Sequence, residues 1–110
     1  MEKFEVLLLD EVDSFLGTLD NKAREKILFN IWKAKQTLDK ELFKKLKDDI
    51  WEFRTLYQKK QYRLFAFWDK RKNYQTLVIC THGIIKKMKK VPQKEIDKAR
   101  EIMKEYFENF

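Results

Sequence analysis

Four lysines, Lys86, Lys87, Lys89 and Lys90, crowd into five positions of the run His-Gly-Ile-Ile-Lys-Lys-Met-Lys-Lys-Val-Pro at residues 82–92. Like charges at that density repel, so the run is either plain solvated surface or a site that meets an anion such as a phosphate backbone. Its place favours the anion, because it follows an apolar strand-like run and precedes a helix start, where free backbone amides attract negative charge. Arg54 and Arg63, on earlier strand-like runs, add forked donors that stay protonated. His82, the one histidine, opens the lysine run. It is either a proton carrier or a hydrogen-bonded residue at a strand end, and both readings stand. Tyr106 divides in the same way between core packing and stacking on a base.

Composition narrows the partner. Residues 51–100 carry 14 basic and 4 acidic side chains, whereas residues 1–50 carry 10 and 11. Such asymmetry points to nucleic acid first, and to an acidic protein partner or solubility second. One histidine and one cysteine supply no recognisable metal-ligand set, and two glycines make no phosphate-binding loop, so no metal or other cofactor is expected. Cys80, inside an apolar run and without a partner, reads as a buried thiol and makes a reducing cytoplasm the expected compartment. The apolar run at residues 6–9 is too short for a signal peptide or a membrane span. A chain of 110 residues with 44% hydrophobic content suits a single domain over residues 1–110.

The elements that must position these groups follow from periodicity. Residues 3–9 read as a short strand, and Val12, Phe15, Leu16 and Leu19 recur as in a short helix with acids in its first turn. Asp20 is the expected N-cap of a longer helix whose apolar stripe is Ala23, Ile27, Leu28, Ile31, Trp32 and Ala34. Residues 39–47 look like one or two further helical turns with Leu42, Phe43 and Leu46 inward. From Ile50 the period becomes two, and residues 50–57 and 62–69 read as a hairpin. Pairing Tyr57 with Tyr62 across a four-residue loop sets Arg54 opposite Phe65 and Leu56 opposite Arg63, with the arginines diagonal on one face. Trp51, Phe53, Tyr57, Tyr62, Leu64 and Trp68 take the other face, suited to the long helix. Glu52, on the arginine face, could simply neutralise an arginine. A third strand runs from Tyr74 or Gln75 to about His82, whose side chain falls on the Val78 and Cys80 face. Pro92 opens a last helix with Ile96, Ala99, Met103, Tyr106 and Phe110 along one stripe. The expected fold is therefore α+β in the order β-α-α-β-β-β-α: a small, mostly antiparallel sheet with N-terminal helices on one face, plus a C-terminal helix.

The strings Trp-Glu-Phe-Arg, Tyr-Arg-Leu, the lysine run itself and Glu-Ile-Asp-Lys-Ala-Arg-Glu-Ile-Met-Lys-Glu-Tyr resemble the phage-derived, HigB-like branch of the RelE/ParE toxin superfamily over residues 50–107. Glu52, Arg54, Tyr62, Arg63, His82, Gly83, Lys86, Lys87, Lys90, Pro92, Ala99 and Tyr106 fall on that pattern. Ile84, Met88 and Val91 depart from it. The resemblance implies a RelE-like fold and the toxin of a type II toxin–antitoxin pair. Such a toxin is typically an endoribonuclease that cuts mRNA in the ribosomal A site and is silenced by a helix-turn-helix antitoxin.

The chemistry asks little of the protein. RNA carries its own nucleophile in the 2′-OH, so a site must align it with phosphorus, neutralise the phosphorane and move two protons. Arg54 and Arg63 suit the charge-stabilising role. Mutual repulsion among Lys86, Lys87 and Lys90 should depress at least one lysine toward a usable base. Lys89, with Lys59 and Lys60 of the hairpin loop, is an RNA contact. Two other classes stay open: a non-enzymatic gyrase inhibitor of the ParE-like kind, and a basic nucleic-acid-binding module without cleavage.

Overall fold

The computed structural model of the chain describes residues 2–71 and 76–110. A strand β1 (Glu5–Leu8) leads into helices α1 (Asp10–Gly17) and α2 (Asn21–Thr37). Strands β2 (Phe43–Lys47), β3 (Ile50–Tyr57), β4 (Lys60–Asp69) and β5 (Leu77–Lys86) follow, and helix α3 (Gln93–Asn109) ends the chain. One five-stranded sheet in the order β1-β5-β4-β3-β2 forms the middle layer, with β1 parallel to β5 and every other pair antiparallel. The α1 and α2 residues Val12, Leu16, Ala23, Ile27 and Ile31 pack on Phe53, Tyr62, Leu64, Val78 and Cys80 on one face. Ile96, Ala99 and Tyr106 of α3 pack on Ile50, Phe65, Phe67 and Ile79 on the other. This is the expected α+β plan. Among the described residues no helix is long and apolar enough to cross a membrane.

Local chemistry sets the ends of the long helix. Asp20 caps α2 by accepting from the Ala23 N–H at 2.8 Å. Leu38 then adopts a left-handed conformation, φ 54°, and its N–H closes on Ala34 O at 2.9 Å. Cys80 is wholly buried, and desolvation pushes its thiol well above the usual range.

Four expectations change. Residues 39–47 are not helical: Asp39 Oδ1 accepts the Glu41 N–H in a tight turn, and β2 pairs with β3 from Phe43 onward. Phe43 stacks on Phe53 and Trp51 at 4.3 and 4.9 Å between centroids, burial that a lysine-rich helical turn could not match. The spacing of Phe43 and Leu46 mimics a helix, yet it places one residue in each of the two cores. The hairpin loop is Gln58-Lys59 alone, both residues at positive φ, so Tyr57 pairs with Lys60 and Arg54 sits directly opposite Arg63. The slip is an even number of residues, so both arginines keep the expected face. Leu28 and Trp32 lie outside the buried stripe of α2, exposed to solvent.

The fourth change concerns β5, which runs on to Lys86; the expected start at Tyr74 or Gln75 lies outside the described residues. Ala66 pairs with Cys80 but Phe65 pairs with His82, so Thr81 is an extra residue in the ladder. That bulge reverses the alternation. His82 leaves the Val78 and Cys80 face and stacks on Phe65 at 4.9 Å on the α3 side. Gly83 turns toward α1, where an added Cβ would lie 2.5 Å from Phe15 Cδ2 and 2.6 Å from Leu64 Cδ2. A side chain there would have to displace the Phe15 ring and the Leu64 methyl that seat α1 on the sheet. Gly83→Ala should therefore cost about 1–3 kcal/mol in urea unfolding, and an unchanged midpoint would show that α1 has room to spare.

Candidate active site

Helix α3 covers only part of its sheet face. Glu95, in its first turn, lies level with His82, and the helix then runs back over Phe65 and Phe67 to Tyr106. Beyond His82, the sheet end bearing Arg54, Arg63 and Lys86 continues past the helix. The paired rows there are Arg54, Arg63 and Ile84, then Leu56, Gln61 and Lys86. Lys86 is thus a diagonal neighbour of Arg63 on the same face.

Glu52 holds the arginines. Its carboxylate lies 3.3 Å from Arg63 Nε and 3.8 Å from Arg54 Nε. Arg63 is 3% exposed and gives its outer nitrogens to Gln61 Oε1 at 2.8 Å and Tyr62 O at 3.1 Å. Arg54 keeps 32% of its side chain exposed, so it is the guanidinium that an external phosphate can reach. Glu52 Oε1 and the Nε atoms of both arginines make no hydrogen bond among the described residues. The three groups attract by charge while retaining unused hydrogen-bonding capacity at buried atoms.

Lys86 is the lysine whose ammonium is disfavoured. Desolvation lowers its pKa first, repulsion from Arg63 second, Glu52 opposes, and Arg54 adds to the lowering. The expected depression is present, but burial and an arginine cause it rather than the neighbouring lysines. Lys87, Lys89 and Lys90 are exposed on the segment leading to α3. Lys59 and Lys60 of the hairpin face Lys86, Lys87 and Lys89 across a groove of about 670 Å³ that also contains Ile85 and Met88. Five ammonium groups therefore border one open groove. Among the described residues no three His, Cys, Asp or Glu side chains gather as metal ligands.

Residues 14–104 match the family described as phage derived protein Gp49-like (DUF891). The chain belongs to that family. The Gp49-like family is part of the RelE/HigB-type toxin group. No curated protein matches the chain. All the basic residues of the groove and both arginines fall inside the Gp49-like match, whereas Tyr106 falls beyond it.

His82 and Tyr106 are built into the interior of the Gp49-like chain. Tyr106 donates its hydroxyl to Asp69 Oδ2 at 2.8 Å, and Arg71 forks onto the same carboxylate at 2.9 Å. The Arg71 bonds hold the Asp69 carboxyl well below the usual range. Asp69 is six residues along β4 from Arg63, about 20 Å, so Tyr106 belongs to the opposite end of the sheet. His82 is 3% exposed, with Nδ1 2.9 Å from Thr81 Oγ1 and Nε2 3.1 Å from Glu95 Oε1. A neutral ring satisfies both contacts when Nε2–H donates to Glu95 and the Thr81 hydroxyl donates to Nδ1. Glu52 is the neutralising charge expected on the arginine face, set against both guanidinium groups. Gln61 is the residue whose part sequence reasoning misses, since the sequence shows it only as a loop residue.

Burial pushes the His82 pKa down, outweighing the Glu95 hydrogen bond that pulls it up; Lys98 adds to the lowering and Glu11 opposes it. A depressed histidine contributes stability above its unfolded value of about 6.5, and that contribution is lost as pH falls through the lower folded value. Between about pH 7 and pH 5 the native chain should lose thermal stability faster than His82→Gln. Parallel slopes in the two melting series would mean that His82 titrates as freely in the folded chain as in the unfolded one.

Proposed function

We propose that this Gp49-like chain is the toxin of a type II toxin–antitoxin pair and an endoribonuclease that cuts mRNA, in the ribosomal A site and in the cytoplasm, until a helix-turn-helix antitoxin silences it. The observation that carries the reading is Lys86: an amine shifted toward neutrality, beside two arginines, at the rim of a groove lined with ammonium groups. Membership of a RelE/HigB-type toxin family supports it.

RNA threaded through the groove is held at its phosphates by Lys59, Lys60 and Lys89. Neutral Lys86 takes the proton of a 2′-OH, and the freed oxygen attacks the adjacent phosphorus. Arg54 forks onto the non-bridging oxygens as charge builds on the phosphorane. The P–O5′ bond then breaks, O5′ takes a proton from Lys87 or Lys90, and a 2′,3′-cyclic phosphate remains. Arg63 acts through Lys86, raising the cost of its ammonium, and is a positioning residue.

Mapping 5′ ends of mRNA incubated with ribosomes tests this scheme. Lys86→Met should slow cleavage about a hundredfold to ten-thousandfold, and Arg54→Ala about a hundredfold. The rate should rise with pH and level off below the ordinary lysine value of about 10.4. Wild-type cleavage by Lys86→Met would remove the lysine from the mechanism. Intact mRNA accompanied by DNA breaks in cells would turn the reading to gyrase inhibition.

A further inference from the structure

The sheet end opposite the candidate active site holds a groove that the proposed cleavage does not use. The turn between β2 and β3, the end of β4 and the last turns of α3 meet there around about 520 Å³, a volume typical of small-ligand pockets. Trp51 pairs with Ala66, so Trp51 and Trp68 are diagonal neighbours on one strand face. Their rings stand edge to face, 5.6 Å apart and at 81°. Both indoles are only half-buried, which leaves ring surface for a further planar group. Met103 and Phe107 of α3 complete the apolar wall, Phe107 being 37% exposed.

Lys45, Asp48, Asp49 and Lys70 carry the charge around this aromatic surface. Asp48 is held by Arg100 of α3, so Asp49 is the carboxylate left as an acceptor among the described residues. The Lys70 ammonium lies 5.4 Å from the centroid of the Trp68 ring. The indole N–H of Trp68 is buried without a hydrogen-bond partner among the described residues, a donor that the protein leaves over. The groove therefore offers indole surface, two ammonium groups and one carboxylate. A cation is a common guest of indole rings, but here it would meet Lys45 and Lys70. Inorganic phosphate would satisfy the lysines and leave the rings and the carboxylate unused. A nucleotide matches all three, with a flat base, an anionic phosphate and a base amine that donates to a carboxylate.

We propose that this groove binds a purine nucleotide, with its base stacked on the indoles of Trp51 and Trp68, its exocyclic amine donating to Asp49 and its phosphate held by Lys45 and Lys70. A two-ring base covers more indole surface than a pyrimidine, and uracil also lacks the amine that Asp49 accepts. A free nucleotide and the terminal nucleotide of an RNA present the same groups. The site binds without cleaving, so it stands independently of the ribonuclease reading.

The three indole N–H signals of the full chain provide the test. Titration with AMP should shift those of Trp51 and Trp68 and leave that of Trp32, exposed on α2, in place. Adenosine should bind about tenfold more weakly than AMP, and the difference should vanish in the pair Lys45→Glu, Lys70→Glu. Asp49→Ala should weaken AMP about tenfold, and UMP should bind the unaltered chain more weakly than AMP. All three substituted positions are exposed, so these variants keep the fold. No shift at Trp51 and Trp68, or equal shifts at all three indoles, overturns the proposal. So does adenosine or UMP binding as tightly as AMP, and so do the same shifts from inorganic phosphate alone. Displacement of AMP by tetramethylammonium would mark a cation cage and overturn it too. A 5′-phosphorylated 2′-O-methyl oligoadenosine, which has no 2′-OH to attack with, separates the two sources. Shifts at lower concentration than with AMP assign the site to an RNA end, and shifts with AMP alone assign it to the free nucleotide; either result supports the site.

Discussion

One extra residue in β5 decides which side chains meet. Thr81 is wholly buried, and its hydroxyl lies 2.9 Å from His82 Nδ1, to which it donates when the ring is neutral, so the bulge is held by a bond its own side chain makes. Without it, strict alternation would carry Lys86 to the α1 and α2 face, away from both arginines, and would turn Ile84 the same way. With it, Gly83 comes under Phe15, where only a missing side chain lets α1 approach, and Lys86 comes beside Arg63. A choice of local hydrogen bonding therefore sets the packing of one helix and the electrostatics of the groove together.

The charge arrangement at the sheet end follows from that placement. Arg63 is buried without a full set of hydrogen bonds, and burial lowers its pKa while Glu52 raises it. A buried cation with one carboxylate beside it is costly, and removing that carboxylate would leave an uncompensated charge. The same arrangement makes an ammonium at Lys86 unfavourable, which is what a base needs. Surface repulsion among exposed lysines is screened by water and salt and could not do this as well.

Much of this was legible because it rests on pattern. The caps and core stripe of α2, the aromatic face of the hairpin and the sharing of one face by Arg54 and Arg63 follow from periods of 3.6 and 2, which survive small errors of register. What was not legible turns on single residues. Gln58 and Lys59 form a two-residue turn without the glycine or asparagine that advertises one, so the loop looked longer and the arginines looked diagonal. Thr81 carries no mark of a bulge in its neighbours, so strict alternation puts His82 on the face opposite the one it occupies. Phe43 and Leu46 have helical spacing, and only stacking on Phe53, distant in sequence, reveals the strand. The crowding of lysines points to a depressed amine but to the wrong cause, since desolvation of Lys86 depends on a register that the sequence does not display.

The two ends of the sheet differ in how fully their polar groups are paired. At one end, Asp69, Arg71 and Tyr106 close a hydrogen-bonded cluster against Phe67 and Phe107, with aromatic rings 5.3 and 5.4 Å apart. At the other, α3 stops short, β2 falls away after Phe53, and Glu52 Oε1 and the Nε atoms of Arg54 and Arg63 lack hydrogen-bond partners among the described residues. Unfilled hydrogen-bonding capacity and an unpaired strand edge cost stability wherever they occur. A sheet can carry them at one end only if the other end and both helical faces hold it firmly. The aromatic cluster around Asp69 is therefore part of the reason that Lys86 and Arg54 can remain open to solvent, although it lies about 20 Å from them.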